Sequence, residues 1–426
     1  MNADDAWLSD LEVATAHSAE AAWRIMALRS DFWRSDSAVG LHYCLLSDRF
    51  PEGADLSVLE SIAEEAEGSL LVAALAALNR IAARRPLDAP TRAEGPEHTV
   101  ARLAAAALEA DGVGALAGYF AINLANARRA LGPEQDAAAL EAYAIALAHD
   151  PERGAWHLDH AVCHKWRGRW QPCLDAVLRA RSRLGETRAV LWNLALAATA
   201  LGDGDLAAGA WKSLGFEGVR MSGGGLPFLE GVPPRRIRVR SKPSGYGVVA
   251  QDAGFEVLNV APLSPAHGVV SSASFEDAPL DFGDIVLWDG APVASDELGP
   301  IFPALERLRA GDERRHRFVA IIDEVGLANL REALGEGVRL FVHDGDPAAE
   351  PSGERLMYGK IVSQSVSDAS LRTRLEAYGA KARTLRLAAP ALYEALGDSR
   401  RAGQEHQAWR GVERAAIKRG LVPSRG

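Results

Sequence analysis

The chain has 426 residues, too many for one ordinary hydrophobic core, so two or three domains are expected. Its formal charge of −10 argues against a general binder of nucleic acid or anionic membranes. Its three cysteines lack a CxxC spacing, which argues against a disulfide framework. With no long apolar run and no export signal, we expect a cytoplasmic protein without a membrane span. Richness in Ala, Arg and Gly is typical of GC-rich bacterial genomes and favours a bacterial source.

The first 117 residues have helical patterns throughout. Asp55 is placed to cap the helix that follows it, and Pro86 ends the helix before it because proline cannot continue a helix. A polar connector is expected at residues 86–96. The segment is either a set of degenerate repeats or a separate helical cap. The predicted helices here and just beyond span residues 6–17, 19–31, 69–85, 99–110 and 114–131.

Three sets of residues recur with a spacing of 34 residues between about Leu124 and Leu214. Small residues recur where two helices must approach closely, and a bulky residue recurs one helical turn later. Such a period is the signature of a helix–turn–helix repeat array. The sets are Ala127, Ala161 and Ala195; Ala139, Cys173 and Ala207; and Tyr143, Val177 and Trp211.

Turn residues keep the same register. Gly168 and Gly202 are 34 residues apart, and Pro151 closes the first unit. On these residues, 118–215 resembles the tetratricopeptide repeat (TPR) family. The first unit departs from the pattern, since Glu134 stands where the turn glycine is expected and the glycine is at Gly132. The resemblance implies a right-handed stack of helix pairs whose concave groove, lined by the first helix of each pair, binds a protein or peptide.

The second half changes character. The Gly-rich run that begins at Ser222 lacks the spacing of a phosphate-binding loop, so residues 216–234 are interpreted as a linker. Short strands with Gly and Pro turns then favour a small sheet or half-open barrel, and alternating helices and strands favour an α/β layer with helices on one face. Predicted strands are 236–240, 247–251, 255–260, 268–271, 284–288, 316–323, 338–343, 356–363 and 383–387, and predicted helices are 301–310, 327–334 and 369–378.

These patterns predict a multidomain α + α/β protein. An N-terminal TPR-like α-solenoid is followed by a β-rich small sheet or barrel and by an α/β layer with a C-terminal helical hairpin that begins at Pro390. The predicted divisions are a helical region at 1–117, repeats at 118–215, a linker at 216–234, a β-rich subdomain at 235–298, an α/β subdomain at 299–388 and helices at 389–426.

Two groups of residues in the repeats are candidates for binding. His157, His160 and His164 share one helix face. A role in the groove or in packing is favoured over a metal site, because one helix rarely supplies a full set of ligands. Tryptophans in repeats mostly fill the space between helices, but one or two exposed in the groove would anchor a partner. Trp156 and Trp192 are the candidates for that role.

A basic strip and a possible catalytic set lie in the second half. Arg236, Arg238 and Arg240 alternate along one strand near Lys242, and this strip either grips phosphates or is a solvated strand face. His267 lies in a Pro/Gly loop and could act with Asp281 or Asp284 and one of three serines, Ser271, Ser272 or Ser274. No catalytic motif supports that set, since Asp281-Phe-Gly lacks the other kinase elements.

The preferred prediction is a non-catalytic adaptor that holds a protein or peptide in the repeat groove. The first alternative is an enzyme whose site lies in residues 235–390, with the repeats recruiting a substrate protein. The second is a regulator that contacts nucleic acid through the Arg236–Lys242 strip. No cofactor fingerprint is present, so no cofactor is expected. The sequence leaves the oligomeric state open.

Overall fold

A computed structural model describes residues 3–29, 33–83, 95–111, 114–221, 225–242, 254–344, 353–381 and 386–421. The chain divides into two compact units, Met1–Pro227 and Phe228–Gly426. The predicted strand at 247–251, Ser222 with the two glycines that follow it, and most of the predicted connector at 86–96 lie outside the described residues. Within the described ranges, no helix is both long and apolar enough to cross a membrane.

The N-terminal unit begins with helices that pack around one apolar core. Met26, Leu59 and Leu75 are fully buried at its centre. The predicted helix cap is confirmed, because the Asp55 carboxylate accepts a hydrogen bond from the Ser57 amide at 2.9 Å. The helices are α1 Ala3–His17, α2 Ala19–Ala27, α3 Ser37–Arg49, α4 Leu56–Glu65, α5 Gly68–Ala82 and α6 Pro96–Asp111.

Three helical hairpins follow. In each one the second helix packs against the first, and α9 contacts both α7 and α11. Gly168 and Gly202 have φ values of 63° and 75° at the turns within the second and third hairpins, a conformation that favours glycine. The helices are α7 Ala117–Leu131, α8 Asp136–His149, α9 Gly154–Lys165, α10 Trp170–Leu184, α11 Arg188–Leu201 and α12 Gly204–Ser213.

The residues that recur with the 34-residue period are all buried in the structure. Every member of the three recurring sets has a relative exposure of 0%. Alanine at such a position lets two helix backbones approach closely, while Tyr143, Val177 and Trp211 fill the space one turn further on. The periodic residues are therefore the packing residues of the hairpins.

The C-terminal unit contains a closed five-stranded barrel. Strands β3, β4, β5, β6 and β8 pair in sequence as antiparallel neighbours, and β3 runs parallel to β8 and closes the barrel. Ile237, Leu258 and Trp288 fill its interior. The short strand β7 extends the sheet beyond β8. Strand bounds are β1 Arg220–Met221 and β2 Pro227–Phe228, then β3 Arg235–Arg240, β4 Phe255–Pro262, β5 His267–Val270, β6 Ile285–Trp288, β7 Ala294–Asp296 and β8 Gly299–Arg309.

The predicted helix at 301–310 is wrong, because this segment is the long strand β8. Its Ala, Leu, Glu and Arg residues favour a helix locally, but pairing with β6 on one side and β3 on the other overrides that preference. The predicted division between residues 298 and 299 falls just before this strand, whereas β8 belongs to the barrel.

A four-stranded antiparallel sheet follows, in the order β10-β11-β9-β12. The predicted helices on one face are a partial error, since helices cover both faces. Helices α13, α14 and α15 pack around Phe318 and Ile361, and α16 packs around Val319 and Tyr358 on the opposite face. The elements are β9 Arg314–Ile322, α13 Glu324–Leu334, β10 Val338–Asp344, β11 Arg355–Ser363, α14 Asp368–Lys381, β12 Arg386–Ala388, α15 Pro390–Ala395 and α16 Ser399–Lys418.

Candidate functional site

Helix α9 carries the histidine face that the sequence singles out. The Nε2 atoms of His160 and His164 are 3.0 Å apart, so one imidazole donates a hydrogen bond to the other. The ring of His160 also lies 5.3 Å from that of Tyr143 on α8. His157 turns away, and its Nε2 lies 2.9 Å from the Pro151 carbonyl oxygen. The three histidines thus form a pair and a separate residue.

Burial keeps this pair uncharged. It lowers the pKa of His160 to about 4, with further contributions from His164, His157 and Arg179. Burial also lowers the pKa of His164, and the nearby Arg169 acts in the same direction. Among the described residues, no group of three or more His, Cys, Asp or Glu side chains could hold a metal ion. The pair is therefore uncharged at neutral pH, and it contacts α8 through the rings of His160 and Tyr143.

A buried hydrogen-bonded network connects the first two hairpins beside the histidines. The Tyr143 hydroxyl donates to Asn126 Oδ1 at 2.6 Å, and Asn126 Nδ2 donates to Asp159 Oδ2 at 3.2 Å. Arg129 donates to the Asp159 carbonyl oxygen at 3.2 Å. These side chains come from α7, α8 and α9, so they fix the positions of the first helices relative to each other. Sequence reasoning missed this network, because its members form no motif.

An ion-pair group links the same hairpins through their turns. The carboxylate of Asp136, at the start of α8, accepts from Arg167 Nε at 2.8 Å and lies 3.3 Å from Arg169 Nη2. Arg167 also donates to the Arg129 carbonyl oxygen at 3.2 Å. Only 8% of the Asp136 side chain is exposed, so this carboxylate depends on its arginine partners.

The two tryptophans predicted as partner anchors differ in exposure. Trp156 is buried and packs edge-on against Tyr119, with ring centroids 5.4 Å apart. Trp192 is half-buried and packs edge-on against Trp211 at 4.9 Å. Trp192 therefore keeps part of its ring available on the first helix of the third hairpin, whereas Trp156 is a core residue.

The arginine strip lies on the outside of the barrel, as its alternation predicts. Ile237 and Val239 point into the interior core, which leaves the arginines on the opposite side of β3. Arg236 forms a two-pronged ion pair with Asp296 in which the Nη2–Oδ2 distance is 2.7 Å. Arg238 lies 4.0 Å from the Phe255 ring centroid, and the exposed Arg240 lies 5.7 Å from it. Two of the three cations are thus engaged by the protein itself.

The candidate catalytic residues have separate partners. His267 is fully buried, its Nδ1 lies 2.5 Å from Ser264 Oγ, and burial lowers its pKa to about 4. Asp284 accepts from the Gly311 amide at 2.8 Å and from Arg315 at 3.1 Å. Within the described residues, the contact that His267 makes with Ser264 joins the two ends of the turn between β4 and β5. This geometry favours a structural role for His267 in that turn.

The Asp281 carboxylate forms further buried contacts, where the barrel meets the four-stranded sheet, and the Asp281 amide donates to Asp284 Oδ2 at 3.0 Å. The carboxylate pairs with Lys360 of β11, and its other oxygen accepts from the Ser274 amide at 2.9 Å. The Ser274 hydroxyl donates to Glu256 at 2.6 Å. Burial lowers the pKa of Lys360, while Asp281 opposes that shift. Sequence reasoning missed Lys360 and Glu256, because neither lies near Asp281 along the chain.

No protein-family model matches the chain. No curated protein matches it in sequence either. A function for this chain is therefore inferred from its own residues and their arrangement.

Proposed function

We propose that this chain is a non-catalytic adaptor that binds a partner protein or peptide along the first helices of its hairpins, α7, α9 and α11. The observation that supports the proposal is the shared burial of all nine residues spaced by 34 positions. Repeat arrays of this kind present extended surfaces that bind other proteins, and the resemblance to the TPR family agrees with such a role.

The first helices form the binding surface in this proposal. Helix α9 contacts α7 on one side and α11 on the other, so the three helices lie side by side. Half-exposed apolar side chains recur along this surface: Leu158 and Val162 lie on α9, and Trp192 lies on α11. A partner segment would bury them, and partly exposed aromatic residues are the usual anchors of such contacts.

The two alternatives have weaker support. An enzyme site would need a nucleophile, a base and an orienting group within hydrogen-bond reach, whereas the side chains of His267, Asp281 and Asp284 bond to separate partners. Nucleic-acid binding through β3 would need free cations, whereas Arg236 pairs with Asp296. The adaptor proposal requires neither arrangement and is preferred.

Site-specific photo-crosslinking in the native cell tests this proposal. A photoreactive amino acid would replace either Leu158 or Trp192 in the full chain. The matched control is Leu178, which is also a partly exposed leucine but lies on the second helix α10. We expect the same partner to be crosslinked from positions 158 and 192 and not from 178. Equal crosslinking from all three positions, or none from 158 and 192, would refute the proposed surface.

A further inference from the structure

Strand β10 forms one edge of the four-stranded sheet. All seven of its residues pair with β11 without a register shift, from Val338 opposite Ser363 to Asp344 opposite Met357. Among the described residues, no strand pairs with the other edge of β10. A row of main-chain N–H and C=O groups therefore points away from β11 along this edge.

The other sheet edges within the described ranges are protected. The barrel is closed by the pairing of β3 with β8, and β7 is only three residues long. At the opposite edge of the four-stranded sheet, β12 is also three residues long and packs against α16. Short strands, closure and coverage are the devices by which proteins prevent unwanted strand pairing. Within the part of the chain that the structure describes, the long, regular edge of β10 has none of these forms of protection.

Both faces of β10 are covered up to this edge. On one face Val338, Leu340 and Val342 pack against the core beneath α13. On the other face the barrel segment reaches β10 with two aromatic rings: Phe282 lies 5.1 Å from Phe341, and Phe275 lies 5.4 Å from His343. The open edge thus lies between a helix and a wall of aromatic rings, which leaves a slot suited to one extended strand.

Arg339 places one positive charge beside the slot. Arg339 is exposed, and its guanidinium lies 5.0 Å from the Phe282 ring centroid. A strand added beside β10 would place alternate side chains next to Val338, Leu340 and Val342 on one face and next to Arg339 and Phe341 on the other. Apolar residues suit the first face, and an acidic residue suits the position beside Arg339.

We propose that β10 binds an extended segment of a partner protein as an added strand, with alternating apolar residues and an acidic residue beside Arg339. The walls on both faces favour a single strand over a second copy of this chain, because a second copy would bring its own helix and barrel against them. The strand β10 shares no residues with α7, α9 and α11. An experiment that refutes strand addition at β10 would therefore leave the adaptor proposal unaffected.

Selection from a phage-displayed library of random nine-residue peptides on the full-length protein tests the proposal. We expect enrichment of sequences that alternate β-branched or apolar residues and carry Asp or Glu. Arg339→Glu should weaken binding of a selected peptide at least tenfold and shift the selection toward Lys or Arg. Lys212→Glu, at an exposed position of helix α12 in the N-terminal unit, is the control and should change neither result.

Amide hydrogen exchange of the selected complex gives the second readout. Binding should slow exchange at alternate residues of β10, because every second amide points to the open edge. Failure to enrich peptides, or binding that is insensitive to Arg339→Glu, would overturn the proposal. So would a concentration-dependent dimer in sedimentation analysis that Arg339→Glu abolishes, since the occupant would then be a second copy.

Discussion

The two units of this chain are stabilised in different ways. In the hairpins the same kinds of residue are buried at the same positions in successive repeats, as Ala127, Ala161 and Ala195 show. In the C-terminal unit the decisive contacts occur once. Lys360 and Asp281 are 79 residues apart, and Arg236 and Asp296 are 60 apart. Periodic packing leaves a signal in the sequence, whereas a single long-range pair leaves none.

Two buried polar sites, one in each unit, also differ, although the hairpins contain a buried ion pair of their own between Asp136 and Arg167. In the hairpins the His160–His164 pair is uncharged and its Nδ1 atoms are buried without a partner in the described structure. In the C-terminal unit the carboxylates of Asp281 and Glu256 are each satisfied by several donors. The site around His160 and His164 tolerates only uncharged side chains. The site around Asp281 is stable only while its carboxylates stay paired with their donors.

The largest expected effect compares two tryptophans that touch. Trp211→Ala removes a ring with no exposure and should lower the free energy of unfolding by about 3–5 kcal/mol. Trp192→Ala removes a half-buried ring at the same contact and should cost clearly less. Urea unfolding followed by circular dichroism measures both. Equal losses would contradict the distinction between a core residue and a surface residue of the hairpins.

The next effect concerns the single long-range ion pair. Lys360→Met leaves the Asp281 carboxylate without its cation and should lower the free energy of unfolding by about 3 kcal/mol. The double variant Lys360→Met/Asp281→Asn should recover most of that loss, because no uncompensated charge remains and Asn can still accept from Ser274. Thermal and urea unfolding would measure the stability of both variants. A double variant as unstable as the single one would show that the charge pair is not the cause.

The sequence predicted most helices and strands of both units, but it did not predict the strand pairing and the side-chain contacts between these elements. Strands 255–260 and 284–288 fall within or nearly on β4 and β6, because alternation and Gly or Pro turns are local signals. The segment 301–310 was mistaken for a helix, because closure of the barrel decides its conformation. The partners of Asp281 and Asn126 could not be predicted from the sequence either. Lys360 comes from a distant strand, and Asp159 comes from a neighbouring helix.

A smaller effect tests the equivalence of the repeats. Leucine at position 127, 161 or 195 would force apart helices that now meet at an alanine, so Ala127→Leu, Ala161→Leu and Ala195→Leu should each cost about 1–3 kcal/mol of unfolding free energy. Ala155→Leu, at an exposed position of α9, is the control and should change stability by about 0.5 kcal/mol or less. If only one of the three core variants were destabilised, the hairpins would not be equivalent.

The effect that is smallest at neutral pH, and that grows as the pH falls, is a pH dependence of stability to which both units contribute. The folded chain holds His160 and His267 neutral, with each pKa lowered to about 4 by burial, so the unfolded chain binds more protons once the pH falls below about 6.5. The contribution of these two histidines to stability should be constant above pH 7 and should be lost progressively between about pH 6.5 and 4. Denaturation at a series of pH values should show a shallower fall for His160→Gln and for His267→Gln. An unchanged pH slope in both variants would contradict these pKa directions.

The affinity of the crosslinked partner for two leucine variants tests the central claim most directly. Leu158→Glu places a charge at a partly exposed position of the first helix α9, and Leu178→Glu places the same charge at an exposed position of the second helix α10. We expect calorimetric titration to show at least a tenfold loss of affinity for Leu158→Glu and no change for Leu178→Glu. Equal affinities for the two variants would contradict partner binding along the first helices.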